Sequence, residues 1–289
     1  MKLLLVTNAS LNSEKFIRQN ELLFNTAKDL NINIVTKRNT DIIYNIYNNS
    51  NNFGNYDAVL FYDKDTLLAK ELENKNYKVF NSSECIKNCD NKALTYQILE
   101  KNNLPIPETY ILPLIFYYNK TIIDKWIYEV EKRLSYPIIV KKWYGSEGKQ
   151  VYLINNRSEL DNLIEKENGN ELLVQHYYEE CCGKDIRINI VNGKIVAAMK
   201  RMSVNGDFRS NLSNGGTAVT YTPNPEESEL AINAAKALKC DFCGVDILNT
   251  NNGPVICEVN SNAHLNNIYS VTNVNVAKHI LEYIINKIG

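Results

Sequence analysis

Cys243–Asn262, CGVDILNTNNGPVICEVNSN, reads as two apolar strands joined by a turn. Gly244–Leu248 and Pro254–Asn260 are the strands, and Asn249, Asn251, Asn252 and Gly253 are turn residues that tolerate positive φ. Side chains alternate along a strand, so Glu258 and Asn260 share one face and Cys257 and Val259 the other. A hairpin brings Asp246 beside the first pair. Grouped carboxylates are costly to bury unless a cation neutralises them, and an all-oxygen trio with room for water and phosphate suits magnesium. A half-exposed hairpin with its polar face in water shows the same alternation, so the flanking sequence has to discriminate.

At 289 residues the chain has the length of roughly two domains. With 44% hydrophobic and 22% charged residues and a net charge of −1, nothing argues for a nucleic-acid or membrane partner. The longest apolar run, Ile111–Tyr118, is too short to span a bilayer. Met1–Val6 opens like a signal peptide, but Thr7-Asn8 ends the apolar run early; a first strand and a cytoplasmic location are expected. Among seven cysteines, Cys85 and Cys89 lie one helical turn apart and Cys240 and Cys243 have C-x-x-C spacing. Together they have the count of a four-thiolate zinc site, but neither pair sits in a Gly-rich knuckle, and reduced core thiols are the favoured reading.

Toward the N-terminus, strands Lys2–Thr7, Ile32–Thr36, Tyr56–Tyr62 and Tyr77–Asn81 alternate with helices from Ser13 to Leu30 and Lys64–Asn74. That alternation predicts a small doubly wound parallel sheet, without the G-x-G-x-x-G of a dinucleotide-binding unit. Ser82 and Ser83 cap a short helix, Asp90 starts another to Asn102, and Pro105 and Pro107 break it. Helix Lys125–Leu134, strand Pro137–Lys142, strand Gln150–Ile154, a Ser158-capped helix to Lys166 with Gly169 near its end, and strand Leu172–Tyr178 follow. Gly145–Lys149 can lay backbone N–H groups along a phosphate, though it is not a Walker A loop. Asn192-Gly193 predicts a type I′ hairpin pairing Val191 with Lys194, Arg187 with Ala198 and Asp185 with Lys200. Asp185, Arg187, Asn189 and Lys200 then form its charged face, and Ile186, Ile188, Ile190, Ile195 and Met199 its apolar one. The polar loop Gly206–Gly216 offers Arg209, Ser210 and Asn211 to a phosphate. Helix Pro225–Leu238 leads into the opening hairpin, and after a loop through His264 the chain ends in helix Asn275–Ile288.

Five stretches, Gly183–Arg187 (GKDIR), Ala197–Arg201 (AAMKR), Gly206–Asn211 (GDFRSN), Gly244–Ile247 (GVDI) and Glu258–Asn260 (EVN), come in the order and spacing of a known family. From about Asn81 onward the chain resembles the ATP-grasp ligases, and among them the ribosomal-protein glutamate ligase, or RimK-like, group. The resemblance implies a mixed α/β and α+β chain with the ATP-grasp fold. Residues 1–81 would be a doubly wound pre-ATP-grasp domain and 82–289 the ATP-grasp domain, divided into a central lid (82–171) and a C-terminal catalytic subdomain (172–289). It implies that Lys92 and Lys141 contact the nucleotide, that the backbone of Gln175, His176, Tyr177 and Tyr178 pairs with adenine, and that Asp185 lies by the ribose. Arg187, Lys200, Ser210 and Asn211 would complete the ATP site. Lys141, Arg201 and Arg209 would act on the transferred phosphoryl group, and Asp246, Glu258 and Asn260 would hold Mg2+, with Mn2+ as the alternative ion.

The implied reaction is ATP-dependent carboxylate–amine ligation through an acyl phosphate, adding an amino acid such as glutamate to a peptide, protein or amino-acid conjugate. A ligase of cofactor or peptide natural-product biosynthesis, and a non-catalytic nucleotide-binding module, are the alternatives; a homo-oligomer is expected by analogy. Two departures stand out. Gln150 replaces a usual glycine, and Asn262-Ala263-His264 replaces the usual Ser-Pro-Gly. Asn262 and His264 are therefore candidate substrate-loop residues, His264 as a contact, a general base or a simple packing residue.

Overall fold

The computed structural model describes residues 1–47, 53–168, 171–204, 206–212 and 215–289. The N-terminal unit contains β1 (Lys2–Thr7), α1 (Glu14–Asp29), β2 (Asn33–Arg38), β3 (Ala58–Tyr62), α2 (Thr66–Asn74) and β4 (Val79–Phe80). Its strands are parallel in the order β2-β1-β3-β4. Leu3–Val6 and Ala58–Phe61 are wholly buried, which is why these strands read as unbroken apolar runs.

Helices α3 (Ser83–Asp90) and α4 (Lys92–Lys101) follow, their first turns capped by the side chains of Ser82 and Asn91. A second sheet is antiparallel in the order β5-β8-β6-β7, from β5 (Thr109–Ile111), β6 (Ile138–Lys142), β7 (Val151–Ile154) and β8 (Leu172–His176). It packs on α5 (Lys120–Glu131) and α6 (Arg157–Lys166) through Ile123, Ile127, Leu160 and Ile164. Asn156, not Ser158, caps α6, because its side chain accepts from the Glu159 N–H. The expected Gly169 terminator lies outside the described residues. Since β8 pairs with both β5 and β6, the second sheet extends past the boundary expected at residue 171.

The third sheet has the order β11-β10-β9-β12-β13, from β9 (Lys184–Val191), β10 (Lys194–Met202), β11 (Thr217–Thr220), β12 (Phe242–Thr250) and β13 (Gly253–Asn260). Helix α7 (Pro225–Ala237) starts with a capping box between Asn224 and Glu227, and with α4 it covers one face, against Ile186, Ile188, Val245 and Ile256. The other face joins the core of the N-terminal unit through Val191, Met199 and Phe242, together with α8 (Leu265–Thr272) and α9 (Val276–Ile288). Asn81, fully buried, ties the two units. Its Nδ2 donates to the carbonyls of Phe242 (2.8 Å) and Ser261 (3.0 Å), and its Oδ1 accepts from the N–H groups of Asp241 and Phe242. Every polar valence of that amide is satisfied.

Two β-bulges overturn the expected registers. The β9–β10 pairing starts as the Asn-Gly turn dictates, with Lys194 opposite Val191, but shifts between Ile195 and Ala197. Beyond the extra residue Arg201 faces Asp185, Met199 faces Arg187 and Lys200 faces Ile186. A one-residue slip moves every later side chain to the other face, so Arg201 and Met199, not Lys200, share the face of Asp185 and Arg187. In β12–β13 Asp246 faces Glu258 but Ile247 faces Ile256, leaving Cys257 as the extra residue. Cys257 is thereby turned toward the same cleft as Glu258 instead of away from it.

Candidate active site

An open cleft of about 940 Å³ separates the second and third sheets, and its polar floor is a charge array. Lys92, the first residue of α4, is buried with Nζ 3.2 Å from Glu258 Oε1, and it donates to the Gly145 carbonyl at 3.1 Å. Lys141, on β6, is also buried and donates to the Tyr96 hydroxyl at 3.0 Å. Burial works against its charge, but the Cys257 thiol, Tyr96 and Glu258 outweigh it and hold its pKa above the ordinary lysine value. Glu258 is the converse: burial opposes ionisation, yet Lys92, Lys141 and Arg187 pull its pKa down to about 2.

Asp246 accepts from Arg187 (Nη2–Oδ2 2.6 Å) and lies 2.9 Å from Arg201 Nη2, while Arg201 Nε donates to Asp185 at 2.6 Å. Two guanidiniums and two carboxylates thus neutralise one another in a buried network, the condition under which such charges are tolerable. Gly244 makes room for it, because a Cβ there would lie 2.9 Å from Arg187 Cδ and 2.8 Å from the Ala263 Cβ.

The Gly-rich loop before β7 closes over this floor. Arg209 pairs with Asp207 (Nη2–Oδ2 2.9 Å) and donates from Nη1 to the Gly148 carbonyl at 2.9 Å, joining that loop to the one after β10. Gly148 is required twice: its φ is +72°, and a Cβ would come 3.0 Å from Arg209 Cδ. Gln150, one of the two departures, accepts from the Ser146 N–H through Oε1 (3.2 Å), so a side chain from within the loop engages one of its donors. At the apolar end, Pro107, Ile139, Val151 and Leu248 face Tyr177 and Tyr178, and the exposed His176 ring lies edge-on to Tyr178 at 4.7 Å. Gln175 is buried, its Nε2 donating to Thr109 Oγ1 at 2.7 Å.

A second cavity, about 1700 Å³, opens on the far side of Glu258. Its walls come from the loops after β1 (Asn8) and β3 (Asp63, Lys64), from Lys15, Phe16 and Gln19 of α1, and from Arg187, Asn260, Asn262 and His264. Three buried polar atoms along it lack a partner among the described residues: Asp63 Oδ2, Asn260 Nδ2 and Asn262 Oδ1. Unmade hydrogen bonds of this kind mark a place for a polar ligand. Burial raises the Asp63 pKa. It lowers that of His264 to about 4, helped by Lys15 and Arg187, and the His264 ring packs 4.9 Å from Phe16. Ser146, Arg201, Asn211 and Glu258 line both cavities, which therefore meet there.

The expected site residues divide accordingly. Lys92, Lys141, Gln175, His176, Tyr177, Tyr178, Asp185, Arg201, Arg209, Ser210, Asn211, Asp246 and Glu258 line the first cleft. Arg187, expected beside ATP, lines the second cavity with Asn260, Asn262 and His264; Lys200 lines neither. Sequence reasoning missed Cys257 in the first and Asn8, Lys15, Asp63 and Lys64 in the second. One signal was available for Asn8 and Asp63. In a β2-β1-β3-β4 sheet the strand order reverses between β1 and β3, and open parallel sheets bind ligands in the crevice at that reversal. Asp246, Glu258 and Asn260 offer the oxygen donors a hard divalent cation takes, and Glu258 is held ionised; Asp246 would share its oxygens with the guanidiniums of Arg187 and Arg201.

A sequence model of the RimK-like ATP-grasp domain matches residues 89–284. The chain is 36% identical over 230 residues to a probable alpha-L-glutamate ligase 2 of Pseudoalteromonas atlantica, covering 79% of this chain and 73% of that one. Among solved structures, a RimK domain ATP-grasp protein from Sphaerobacter thermophilus superposes with a TM-score of 0.75 at 17% identity, over 99% of this chain and 100% of that one. D-alanine–D-alanine ligase from Bacillus anthracis, in complex with ATP, gives 0.74 at 17% identity, over 100% and 97%.

Proposed function

Because the chain belongs to the RimK-like ATP-grasp family, we propose that it is an ATP- and magnesium-dependent carboxylate–amine ligase. A substrate carboxylate would take the γ-phosphoryl group of ATP, and an amine would displace phosphate from the acyl phosphate to leave an amide. The observation that carries this reading is the junction of the two cavities at Ser146, Arg201, Asn211 and Glu258. Nucleotide in the first cleft and acid in the second would present their reacting oxygens to one another there.

The adenine belongs at the apolar end, between Ile139, Val151 and the Tyr177–Tyr178 segment. Lys92 and Lys141 balance phosphate charge; being buried and already positioned, they need no reorganisation as charge shifts in the transition state. Arg201, locked by Asp185 and Asp246, faces the transferred group from the junction, and Arg209 holds the Gly-rich loop down over it. Asp246, Glu258 and Asn260 would hold magnesium, which supplies charge neutralisation across the phosphates. No protein nucleophile is needed.

The acid substrate is proposed to be glutamate or a similar acidic amino acid, with a peptide, protein or amino-acid conjugate as its partner. Lys15, Lys64, Arg187 and Arg201 place cations on the walls of the second cavity, each also paired with a carboxylate (Glu147, Asp90, Asp246 and Asp185), and Asn8, Asn260 and Asn262 add amides suited to carboxylate and amino groups. The P. atlantica relative carries a glutamate ligase name. The test is ADP and phosphate release from magnesium-ATP, with each amino acid alone and with short peptides, beside Glu258→Ala. Glutamate-dependent release, a product one glutamyl residue heavier, and a loss of roughly a thousandfold or more in the variant are expected. ATP that binds without turnover for any acid–amine pair would instead favour a non-catalytic nucleotide-binding module.

A further inference from the structure

A third group of reactive side chains stands apart from both cavities. Cys85 and Cys89 are four residues apart on α3, so both thiols leave the same helix face. Cys240 reaches them from the far end of α7. There the Cys240 N–H donates to the Ala235 carbonyl at 2.9 Å and Lys239 takes a φ of +59°, a tight cap that folds the chain back toward α3. The three Sγ atoms lie within 4.8 Å of one another, and Cys89 Sγ is 3.6 Å from Cys240 Sγ. Cys243, at the start of β12, is buried in the same core.

We propose that Cys85, Cys89 and Cys240 form a structural zinc site, with Cys243 as the fourth ligand. Tetrahedral zinc–thiolate bonds of about 2.3 Å set sulfurs about 3.8 Å apart. The 3.6 Å found between Cys89 and Cys240 is close to that and far from the roughly 2.0 Å of a disulfide. Soft sulfur donors select zinc over the magnesium that suits the oxygen donors of β12 and β13. A C-x3-C pair on a helix face and a C-x2-C pair at a helix–strand corner have the spacing of zinc ligands, the helix replacing the missing Gly-rich knuckle. Each thiol gives up its proton on binding, so occupancy rises with pH.

The site joins segments 151 residues apart in sequence, from Cys89 to Cys240. It fixes α3, which leads directly into Lys92, against the corner that starts β12 and hence Asp246.

The test is zinc content of the full chain purified without chelator. Cadmium titration should raise a thiolate-to-metal charge-transfer band, and X-ray absorption at the zinc edge should show a sulfur shell. One zinc per chain is expected, retained in Glu258→Ala and lost in Cys89→Ser/Cys240→Ser. Should that double variant fail to fold, the cadmium band and sulfur shell of the unmodified protein decide alone. Substoichiometric zinc with no such band, or a Cys89–Cys240 disulfide in the purified protein, would overturn the proposal.

Discussion

The two cavities that meet at Glu258 are built in different ways. The first takes most of its polar lining from strands of two neighbouring sheets and the loops between them. The second is assembled across the whole chain: the Leu265 N–H donates to Gln19 Oε1, and Asn266 Nδ2 to the Lys15 carbonyl, across 246 and 251 residues. In the first, buried lysines and arginines already have partners; in the second, three buried polar atoms have none among the described residues. The difference is the one expected, on the proposed function, between a preorganised phosphate site and a substrate site that its ligand completes.

The largest test of that contrast is Lys141→Met. Removing a buried, preorganised cation should lower kcat by roughly 10²–10³-fold. The unfolding midpoint should fall as well, since the fold favours the Lys141 ammonium and its loss leaves Glu258 with less to offset its buried charge. A lowered midpoint with an intact rate would make Lys141 a structural ion-pair member.

Asn262→Ala should act on one cavity only, raising KM for the acid substrate about tenfold, equivalent to about 1.4 kcal/mol, with KM for ATP unchanged. A matched rise in both would mean that the cavities do not bind separate substrates. Because Asn262 Nδ2 also donates to the Asp63 carbonyl, a thermal melt must accompany the kinetics.

An effect on stability and not on rate belongs to His264, whose folded pKa of about 4 lies below the ordinary value of 6.5. The unfolded chain therefore takes up the proton first, so the His264 contribution is intact above pH 6.5 and is lost as pH falls toward 4. Denaturant melts between these limits should show a shallower decline for His264→Asn than for the unmodified chain; parallel declines would refute it. Smallest of all, Lys200→Ala should leave kcat and both KM values within about twofold, since side chains outside both cavities and their networks contribute little. A clear kinetic defect would reopen the register of β9 and β10.

Much of the first cleft was legible because its chemistry constrains residue type. Strand alternation pointed to Asp246 and Glu258, the polar loop to Arg209, and the family resemblance to Lys92, Lys141 and Arg201, and all six line that cleft. The register errors have one origin. Strict alternation was extended through Val196 and Cys257, and each time a bulge added a residue. A bulge leaves no reliable mark in composition, yet it exchanged Lys200 for Arg201 and turned Cys257 into the cleft. Strand β8 pairs across the boundary expected at residue 171, because an apolar run states that it is buried, not against which partner.

By itself, then, the sequence determined the alternating N-terminal unit, the two hairpins, most of the residues that line the first cleft and the family, since local periodicity and side-chain chemistry are written residue by residue. Only the tertiary structure decided that Asn8, Lys15 and Asp63 face Asn262 and His264, that Arg187 serves the second cavity, and that Cys89 meets Cys240. Those contacts join segments far apart in the chain, and they exist because the sheets share buried apolar faces whose pairing is set by the packing of the whole core.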